Sequence, residues 1–384
     1  MQKWQQSIVV YIGGLLTGFA LILYPALGPV FTDSTQFGFS SDAFGRIFIP
    51  QTLFAIVSAL SAPFIVSKIG VKKVLLSGVL SLAVAMILLY LSHFYIENKS
   101  NALWLIFSGT SFLGLGFGLV ITVLNPMAFK LFPKNELASV TGLHFSLGLG
   151  TAGAPLLIGI LRSSLAWWYL PLYISTLLFG LLIFIISLSF EQSDKSAVQT
   201  LKIPLKLWGF VALITLYGIC EGTMGSYGAV FLKNQGLSIQ NASFGLALFW
   251  TGLAFGRILF SLLSVRFNTK WIYIVSPILL AILLFILPSS NNVLFMLSAM
   301  TLAGLLMSSI FPDTVSWATK EFSNNALVVS ALMVAALQFG TGISTNFLGY
   351  LSIDYSMSIL MRFIAGIAFS LFVLILIIRK YSKF

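Results

Sequence analysis

Long apolar runs separated by short polar intervals fill the whole chain. A run of about 20 apolar residues has the length that crosses the hydrocarbon core of a bilayer as a helix. Hydropathy and the positions of glycine, proline and charged residues predict twelve such helices, at residues 8–31, 44–66, 74–95, 102–129, 137–161, 168–190, 207–232, 242–264, 271–288, 292–318, 326–350 and 356–378. The predicted fold class is therefore an all-α membrane protein.

The longest polar interval divides the predicted helices into two sets of six. It runs from Glu191 to Lys206 and contains the segment EQSDKS. We therefore predict an N-terminal six-helix bundle over residues 1–190, a cytoplasmic linker over 191–206 and a C-terminal six-helix bundle over 207–384.

The two predicted halves resemble each other in sequence. Three pairs of segments match in the same order along the halves: 36–45 with 234–245, Asn125-Pro126 with Phe311-Pro312, and 141–159 with 330–349. Two six-helix halves related by a parallel repeat are one arrangement of secondary transporters, whose solute site lies between the repeats. The repeat therefore favours a transporter over a channel or a membrane enzyme.

Composition and charge support a membrane location. Hydrophobic residues make up 58% of the chain and charged residues 8%, against about 25% charged residues in soluble domains. The net charge of +11 could indicate nucleic-acid binding, but an N-terminus placed inside puts 15 basic residues in inside segments and 5 in outside segments. This asymmetry is the one that orients membrane helices. We expect both termini in the cytoplasm, a bacterial inner-membrane location and no nucleic-acid partner.

The loop between the second and third predicted helices contains Lys68, Gly70, Lys72 and Lys73. It is similar to the glycine and basic-residue loop of the major facilitator superfamily, and the chain resembles that superfamily over essentially its full length. The resemblance implies a twelve-helix fold and an inner gate at these four residues. Ser67 stands where the superfamily usually has aspartate, so the usual charge-relay account of that gate does not carry over directly.

Three further stretches are similar to the fucose and hexose proton-symporter group of the superfamily. They are GICEGTMGSYGAVFL at 218–232, Leu143-His144 with the glycine run that ends at Pro155, and Ile310-Phe311-Pro312. This resemblance implies uptake of a small solute together with protons.

Glu221 lies in the middle of the apolar run 207–232. A carboxylate at membrane depth is costly unless it is paired, hydrated or protonated, so it marks a functional site. Helical spacing puts Tyr217, Met224 and Gly225 on the face of Glu221. We predict that Glu221 binds the coupling proton and contacts the solute. The alternative is a protonated structural glutamate that hydrogen-bonds to a neighbouring helix.

Other polar and aromatic side chains inside the predicted helices are candidates for two roles. The candidates for solute contact, besides Glu221, are Tyr24, Asn125, His144, Tyr217, Trp250 and Gln338. The candidates for the gate are Asp313 and Arg257, with Lys68, Gly70, Lys72 and Lys73. His144 is alternatively a packing residue, Asp313 a solute contact, and Arg257 a side chain that reaches the membrane surface.

The sequence shows no enzymatic or cofactor motif. It has no Walker loop, and neither metal-ligand spacing nor a serine, histidine and acid set can be assembled from it. We predict a secondary active transporter that moves a small polar or amphipathic solute by alternating access, with proton-coupled uptake as the leading mechanism, no cofactor and no metal. The alternatives are proton-driven efflux of a drug, metabolite or siderophore and, in another class, a non-transporting receptor or scaffold. The expected partners are the solute, protons and the lipid bilayer, and we expect a monomer.

Overall fold

The computed structural model describes residues 3–131, 136–161, 166–188, 205–266, 270–322 and 326–381. These residues form α-helices and short 3-10 turns, with no strand among them. Eleven stretches of them are long and apolar enough to cross a membrane, which confirms the predicted all-α membrane class. The helices are α1 (Lys3–Ala26), α2 (Gly28–Phe31), α3 (Ser41–Arg46), α4 (Phe48–Ile69), α5 (Val71–Ser92), α6 (Lys99–Leu131), α7 (Glu136–Leu161), α8 (Tyr169–Ser187), α9 (Leu205–Asn234), α10 (Ile239–Arg266), α11 (Lys270–Ile286), α12 (Val293–Met307), α13 (Ile310–Glu321), α14 (Ala326–Leu351) and α15 (Met357–Tyr381).

The chain divides into two compact units. The first comprises Met1–Gly38 and Ile47–Gln199, and the second comprises Phe39–Arg46 and Thr200–Phe384. Helices α1, α2 and α4 to α8 therefore belong to the first unit, and α3 and α9 to α15 belong to the second. The predicted linker lies outside the described residues except at Leu205 and Lys206, so the predicted domain boundaries stay predictions.

The tenth predicted helix, 292–318, is two helices in the structure. Helix α12 ends at Met307 and α13 begins at Ile310. Pro312 lies in the first turn of α13, where a backbone N–H has no partner within the helix and proline is tolerated. The break therefore precedes the proline, at Ser308 and Ser309, and Asp313 comes in the first turn of the new helix, where the helix dipole favours a negative charge.

Each unit packs its first long helix against its fifth through glycines. A Cβ added at Gly18 of α1 would lie 2.1 Å from the Leu147 carbonyl oxygen of α7. In the second unit, a Cβ added at Gly218 of α9 would lie 2.5 Å from the Leu337 carbonyl oxygen of α14. Only glycine permits such close approach of two helices. Gly18 and Gly218 therefore occupy corresponding places in the two units.

A second contact repeats with its two residues exchanged. In the first unit, Gly118 of α6 faces Ser58 of α4, and a Cβ at Gly118 would lie 2.0 Å from the serine hydroxyl. In the second unit, Gly256 of α10 faces Ser308 of α12, and a Cβ at Gly256 would lie 2.6 Å from the serine hydroxyl. Ser58 thus corresponds to Gly256, and Gly118 to Ser308. These correspondences show in three dimensions the repeat that the sequence indicates.

Helix α3 packs against α9 and α14 within the second unit. The ring of Phe44 meets the ring of Tyr227 edge-on, with centroids 5.5 Å apart, and Phe44 is fully buried. A Cβ added at Gly45 would lie 2.5 Å from the Thr345 carbonyl oxygen. The absence of a side chain at Gly45 is therefore what allows α3 to approach α14.

Candidate functional site

Glu221 lies near the middle of α9 and is 8% exposed. Its neighbours Gly218 and Gly222 allow α9 to pack closely against α14. A Cβ added at Gly218 would lie 2.5 Å from the Leu337 carbonyl oxygen. The glycine-rich sequence around Glu221 thus draws another helix close on one side. The carboxyl group is held in a tightly packed and largely apolar part of the second unit.

Two polar side chains approach the same oxygen of Glu221. The hydroxyl of Tyr217, one turn earlier on α9, donates a hydrogen bond of 3.2 Å to Oε1. The guanidinium nitrogen Nη2 of Arg257, on α10, lies 3.8 Å from that oxygen. Tyr217 is fully buried, and the ring of Phe311 lies 6.0 Å from its ring. Glu221, Tyr217 and Arg257 therefore form one buried cluster, which we call the carboxyl cluster.

The contact between Glu221 and Arg257 is long and incomplete. An arginine can meet a carboxylate through two parallel hydrogen bonds of about 2.7–2.9 Å, whereas here a single pair of atoms stands at 3.8 Å. The Nε–H of Arg257 is buried and has no hydrogen-bond partner among the described residues. The guanidinium group therefore retains donor capacity that Glu221 does not use.

The first unit has uncharged residues at the places that correspond to Glu221 and Arg257. The match of Gly18 with Gly218 and of Ser58 with Gly256 makes Leu21 the counterpart of Glu221 and Ala59 the counterpart of Arg257. Leu21 packs against a buried apolar cluster of its own unit. The shared helix packing therefore needs neither charge, which favours a functional role for both.

Trp250 lies on α10, next to the carboxyl cluster. A Cβ added at Gly225, one turn after Glu221, would lie 2.7 Å from Cζ2 of the Trp250 indole. Trp250 as a whole residue is 7% exposed. The sequence thus identifies three members of this region, Glu221, Tyr217 and Trp250, as solute contacts, and the structure adds Arg257, which the sequence assigns to the gate.

The other sequence candidates of the second unit lie on α13 and α14. Gln338 is buried on α14, and Asp313 is half-buried in the first turn of α13. The recorded polar partners of Glu221 within the described residues are Tyr217 and Arg257. Asn346, two turns after Gln338, is a polar residue that the sequence analysis missed. Its side-chain N–H donates to Gly342, while its Oδ1 is buried without a partner among the described residues.

The solute candidates of the first unit have separate surroundings. Tyr24 is fully buried, and its hydroxyl donates to the Ala85 carbonyl at 2.8 Å, so this hydroxyl is already engaged. Asn125 lies on α6, and its Oδ1 is buried without a partner in the described part of the chain. His144 is half-buried on α7. Asn125 therefore has a buried acceptor that the described residues leave unused.

The gate candidates of the first unit surround the turn between α4 and α5. Gly70 ends α4 with φ of +85°, a backbone conformation that favours glycine. Lys72 donates to the Ile186 and Leu188 carbonyls at 2.8 and 2.7 Å, and so caps the end of α8. Lys68 lies over the Phe64 ring, and Lys73 is exposed. In this structure Lys72 is a helix cap of its own unit, whereas a gate role for it stays a prediction.

Comparison with known proteins identifies the family. The sequence profile of the Major Facilitator Superfamily matches residues 10–247, which is more than half of the chain. The chain belongs to the Major Facilitator Superfamily. This membership and the two repeated units confirm the prediction of a secondary transporter with alternating access.

Relatives of this superfamily member include sugar transporters. The chain is 27% identical over 305 residues to the glucose/mannose transporter GlcP of Bacillus subtilis (strain 168), covering 74% of each chain. Its fold is similar to a crystal structure of a D-xylose-proton symporter, with a TM-score of 0.77, 15% identity and coverage of 99% of this chain and 98% of that one. The nucleoside transporter NupG has the same fold, with a TM-score of 0.72, 14% identity and full coverage of both chains.

No metal centre is apparent in the part of the chain that the structure describes. No group of three or more histidine, cysteine, aspartate or glutamate side chains there could hold an ion. In the carboxyl cluster, Glu221 can take up and release a proton, and Tyr217 and Arg257 can donate hydrogen bonds.

Proposed function

We propose that this protein takes up a sugar together with protons, and that Glu221 binds the coupling proton. The observation that carries the proposal is the buried and incomplete pair of Glu221 with Arg257. The glucose/mannose transporter among the relatives supports a sugar as the solute. The loose resemblance of residues 218–232 to hexose proton symporters supports coupling to protons.

The geometry of the pair suits a group that changes its protonation during a cycle. A buried ion pair is stable only when its geometry is good and its remaining hydrogen bonds are satisfied. Glu221 and Arg257 meet at one long contact, and Arg257 keeps an unused N–H. Protonation of Glu221 removes the charge that holds Arg257, so the guanidinium group becomes free to donate to a solute oxygen.

This exchange would link proton binding to solute binding. A solute that accepts hydrogen bonds from Arg257 is held more tightly when Glu221 is protonated, and reciprocity then requires the solute to favour the protonated form. Positive coupling of this kind is what a symporter needs, because both ligands should load before the carrier changes its conformation. The absence of both charges from the corresponding place in the first unit supports a role in transport over a role in folding.

Reconstituted vesicles with an imposed proton gradient test the proposal. Labelled D-glucose, D-mannose and D-xylose are offered to the parent protein and to the Glu221→Gln variant. The parent should accumulate at least one of them when the outside is acidic. The variant should lose gradient-driven accumulation and keep exchange of labelled for unlabelled sugar, because a permanently neutral side chain still permits the conformational change.

Other outcomes point to other roles. If Glu221→Gln accumulates sugar with an unchanged pH profile, Glu221 is a structural residue and the coupling proposal is wrong. Loss of binding as well as exchange would make Glu221 a direct solute ligand. If an acidic exterior drives loss of a preloaded amphipathic compound while no sugar is taken up, the protein is an exporter that exchanges the compound for protons.

We also propose the cellular placement that the basic residues indicate. Both termini and the linker would lie on the cytoplasmic side of a bacterial inner membrane, and the protein would work as a monomer. A single cysteine introduced at Ser193 in a Cys220→Ser background checks the topology, because it should react with an impermeant thiol reagent only after the cells are opened. Reaction in intact cells would reverse the orientation.

The lysines between α4 and α5 are proposed to act in the inner gate. Lys68 and Lys73 are exposed, so they are free to meet groups beyond their own turn when the conformation changes. Replacing Lys68 and Lys73 by glutamine should change the transport rate more than the solute affinity. A fall in affinity without a change in rate would contradict the gate role.

A further inference from the structure

Trp250 carries a buried hydrogen-bond donor that the described residues leave unused. Trp250 is 7% exposed, and its indole N–H finds no hydrogen-bond partner in the described part of the chain. A buried N–H without a partner is destabilising, and such groups are rare in native proteins. Where one lies beside a transport site, a ligand is a natural source of the missing acceptor.

The position of the indole is fixed by its neighbours. Gly225 leaves the space that the ring occupies, since an added Cβ would stand 2.7 Å from Cζ2 of Trp250. The ring of Phe249 packs edge-on against the indole, with centroids 5.0 Å apart. Gly225 is one helical turn from Glu221, so the indole lies beside the carboxyl cluster on α9.

The first unit shows that helix packing does not require this indole. The correspondences described above pair Gly225 with Pro25 and Trp250 with Thr52. The first unit thus has a short side chain without an aromatic N–H at the place of the indole. The second unit has a glycine facing a tryptophan, which introduces the N–H donor.

Arg257 offers a second unused donor on the same helix. Its Nε–H is buried and unpaired among the described residues, seven residues after Trp250, which is about 10 Å along the helix axis. A ligand that reaches both donors needs acceptor oxygens at well-separated points. It also needs a hydroxyl group that can donate to Glu221.

We propose that the Trp250 indole N–H donates a hydrogen bond to a hydroxyl oxygen of a pyranose sugar, and that Gly225 sets the position of that donor. A pyranose carries oxygens around its whole edge, so it can accept from Trp250 and Arg257 and donate to Glu221. Its apolar C–H face also suits the flat side of an indole. The inference rests on the proposed function, because it specifies how the same site recognises its solute.

Replacing the indole by phenyl isolates the N–H. Trp250→Phe keeps an aromatic ring and removes the donor, so the apparent KM for D-glucose exchange should rise about tenfold, while the maximal rate stays near that of the parent. The matched control is Trp208→Phe, since Trp208 is 52% exposed on α9. This control should leave both constants unchanged.

Monodeoxy sugars identify the acceptor oxygen. Binding to the purified protein is measured for D-glucose and its 1-, 2-, 3-, 4- and 6-deoxy analogues. One analogue should bind the parent about tenfold more weakly than D-glucose and bind Trp250→Phe no more weakly than D-glucose does. This loss of discrimination reports a direct hydrogen bond, which a purely structural role of Trp250 would not produce.

A glycine substitution tests the placement of the donor. Gly225→Ala should push the indole aside and weaken D-glucose binding, whereas Gly209→Ala on the same helix should have no effect. An alanine Cβ at Gly209 would meet only Ile378, at an ordinary 3.5 Å. Unchanged D-glucose affinity in both Gly225→Ala and Trp250→Phe would overturn the inference.

The possible outcomes separate this inference from the proposed function. If the parent binds and accumulates a sugar, but Trp250→Phe retains full discrimination among all deoxy analogues, then only the role of Trp250 is wrong. If uridine binds and no sugar does, the pyranose class is wrong and the sugar proposal falls with it. If neither binds in a melting-temperature assay, in which a ligand stabilises the state it occupies, both are refuted.

Discussion

Removing Arg257 while Glu221 remains should destabilise the protein strongly. The two charges stand 3.8 Å apart, which corresponds to an attraction of about 4 kcal/mol at an effective dielectric constant of about 20. Deleting one partner of a buried pair typically costs about 3–5 kcal/mol, because the other charge is left without compensation. Arg257→Met keeps roughly the length of the side chain and should therefore lower the free energy of unfolding by about 3–4 kcal/mol at pH 7.5.

The pH dependence of this loss follows from the carboxylate left behind. In Arg257→Met, Glu221 can escape the penalty by taking up a proton, and the loss is then bounded by the free energy needed to protonate an ordinary glutamate. That bound is about 4 kcal/mol at pH 7.5 and about 2 kcal/mol at pH 5.5. The folded variant binds a proton that the unfolded chain has released, so its stability should increase as the pH falls over this window.

Reversible unfolding in mixed micelles of dodecyl sulfate and a mild detergent measures these free energies. Glu221→Gln combined with Arg257→Met should restore most of the lost stability, because no buried charge remains. Arg362→Met is the matched control, since Arg362 is exposed and its replacement should change stability by less than about 0.5 kcal/mol. The reasoning is refuted if the single variant matches the parent at pH 7.5, or if the double variant is no more stable than the single one.

Three further substitutions test other contacts. Gly340→Ala should lower the free energy of unfolding by about 1–3 kcal/mol, because its Cβ would stand 2.2 Å from a backbone oxygen of α9. Gly366→Ala is the control and should be neutral, because its Cβ would meet nothing within 4 Å. Equal effects of the two substitutions would contradict the packing argument. Lys72→Met should cost about 0.5–1 kcal/mol and speed amide hydrogen exchange in the last turn of α8, and unchanged exchange there would show that the cap is unimportant. Tyr217→Phe should cost about 1–2 kcal/mol in a parent that contains Glu221 and much less in Glu221→Gln, so a similar loss in both backgrounds would argue against the hydrogen bond.

The sequence by itself determined the class of the protein and the position of its central acid. The length of an apolar run decides whether it can cross a bilayer as a helix, and every such run is visible in the sequence. Glu221 stands out for a related reason. A carboxyl group within such a run must be paired, hydrated or protonated, whichever helix it packs against. Tyr217 could also be predicted as its partner, since residues four apart on one helix are neighbours by geometry alone.

Only the tertiary structure decided which residues from other helices meet Glu221. Arg257 is on α10, and the sequence favours a gate or a surface role for it, whereas the structure brings its guanidinium to the carboxyl group. Lys72 likewise caps α8 across the first unit. The correspondence of Leu21 with Glu221 also required the packed helices, because a deletion or insertion between two helices shifts the numbering but not the contact. Spacing along a chain fixes which side chains share a helix face, while the rotation and separation of two helices are set by the glycines and serines packed between them.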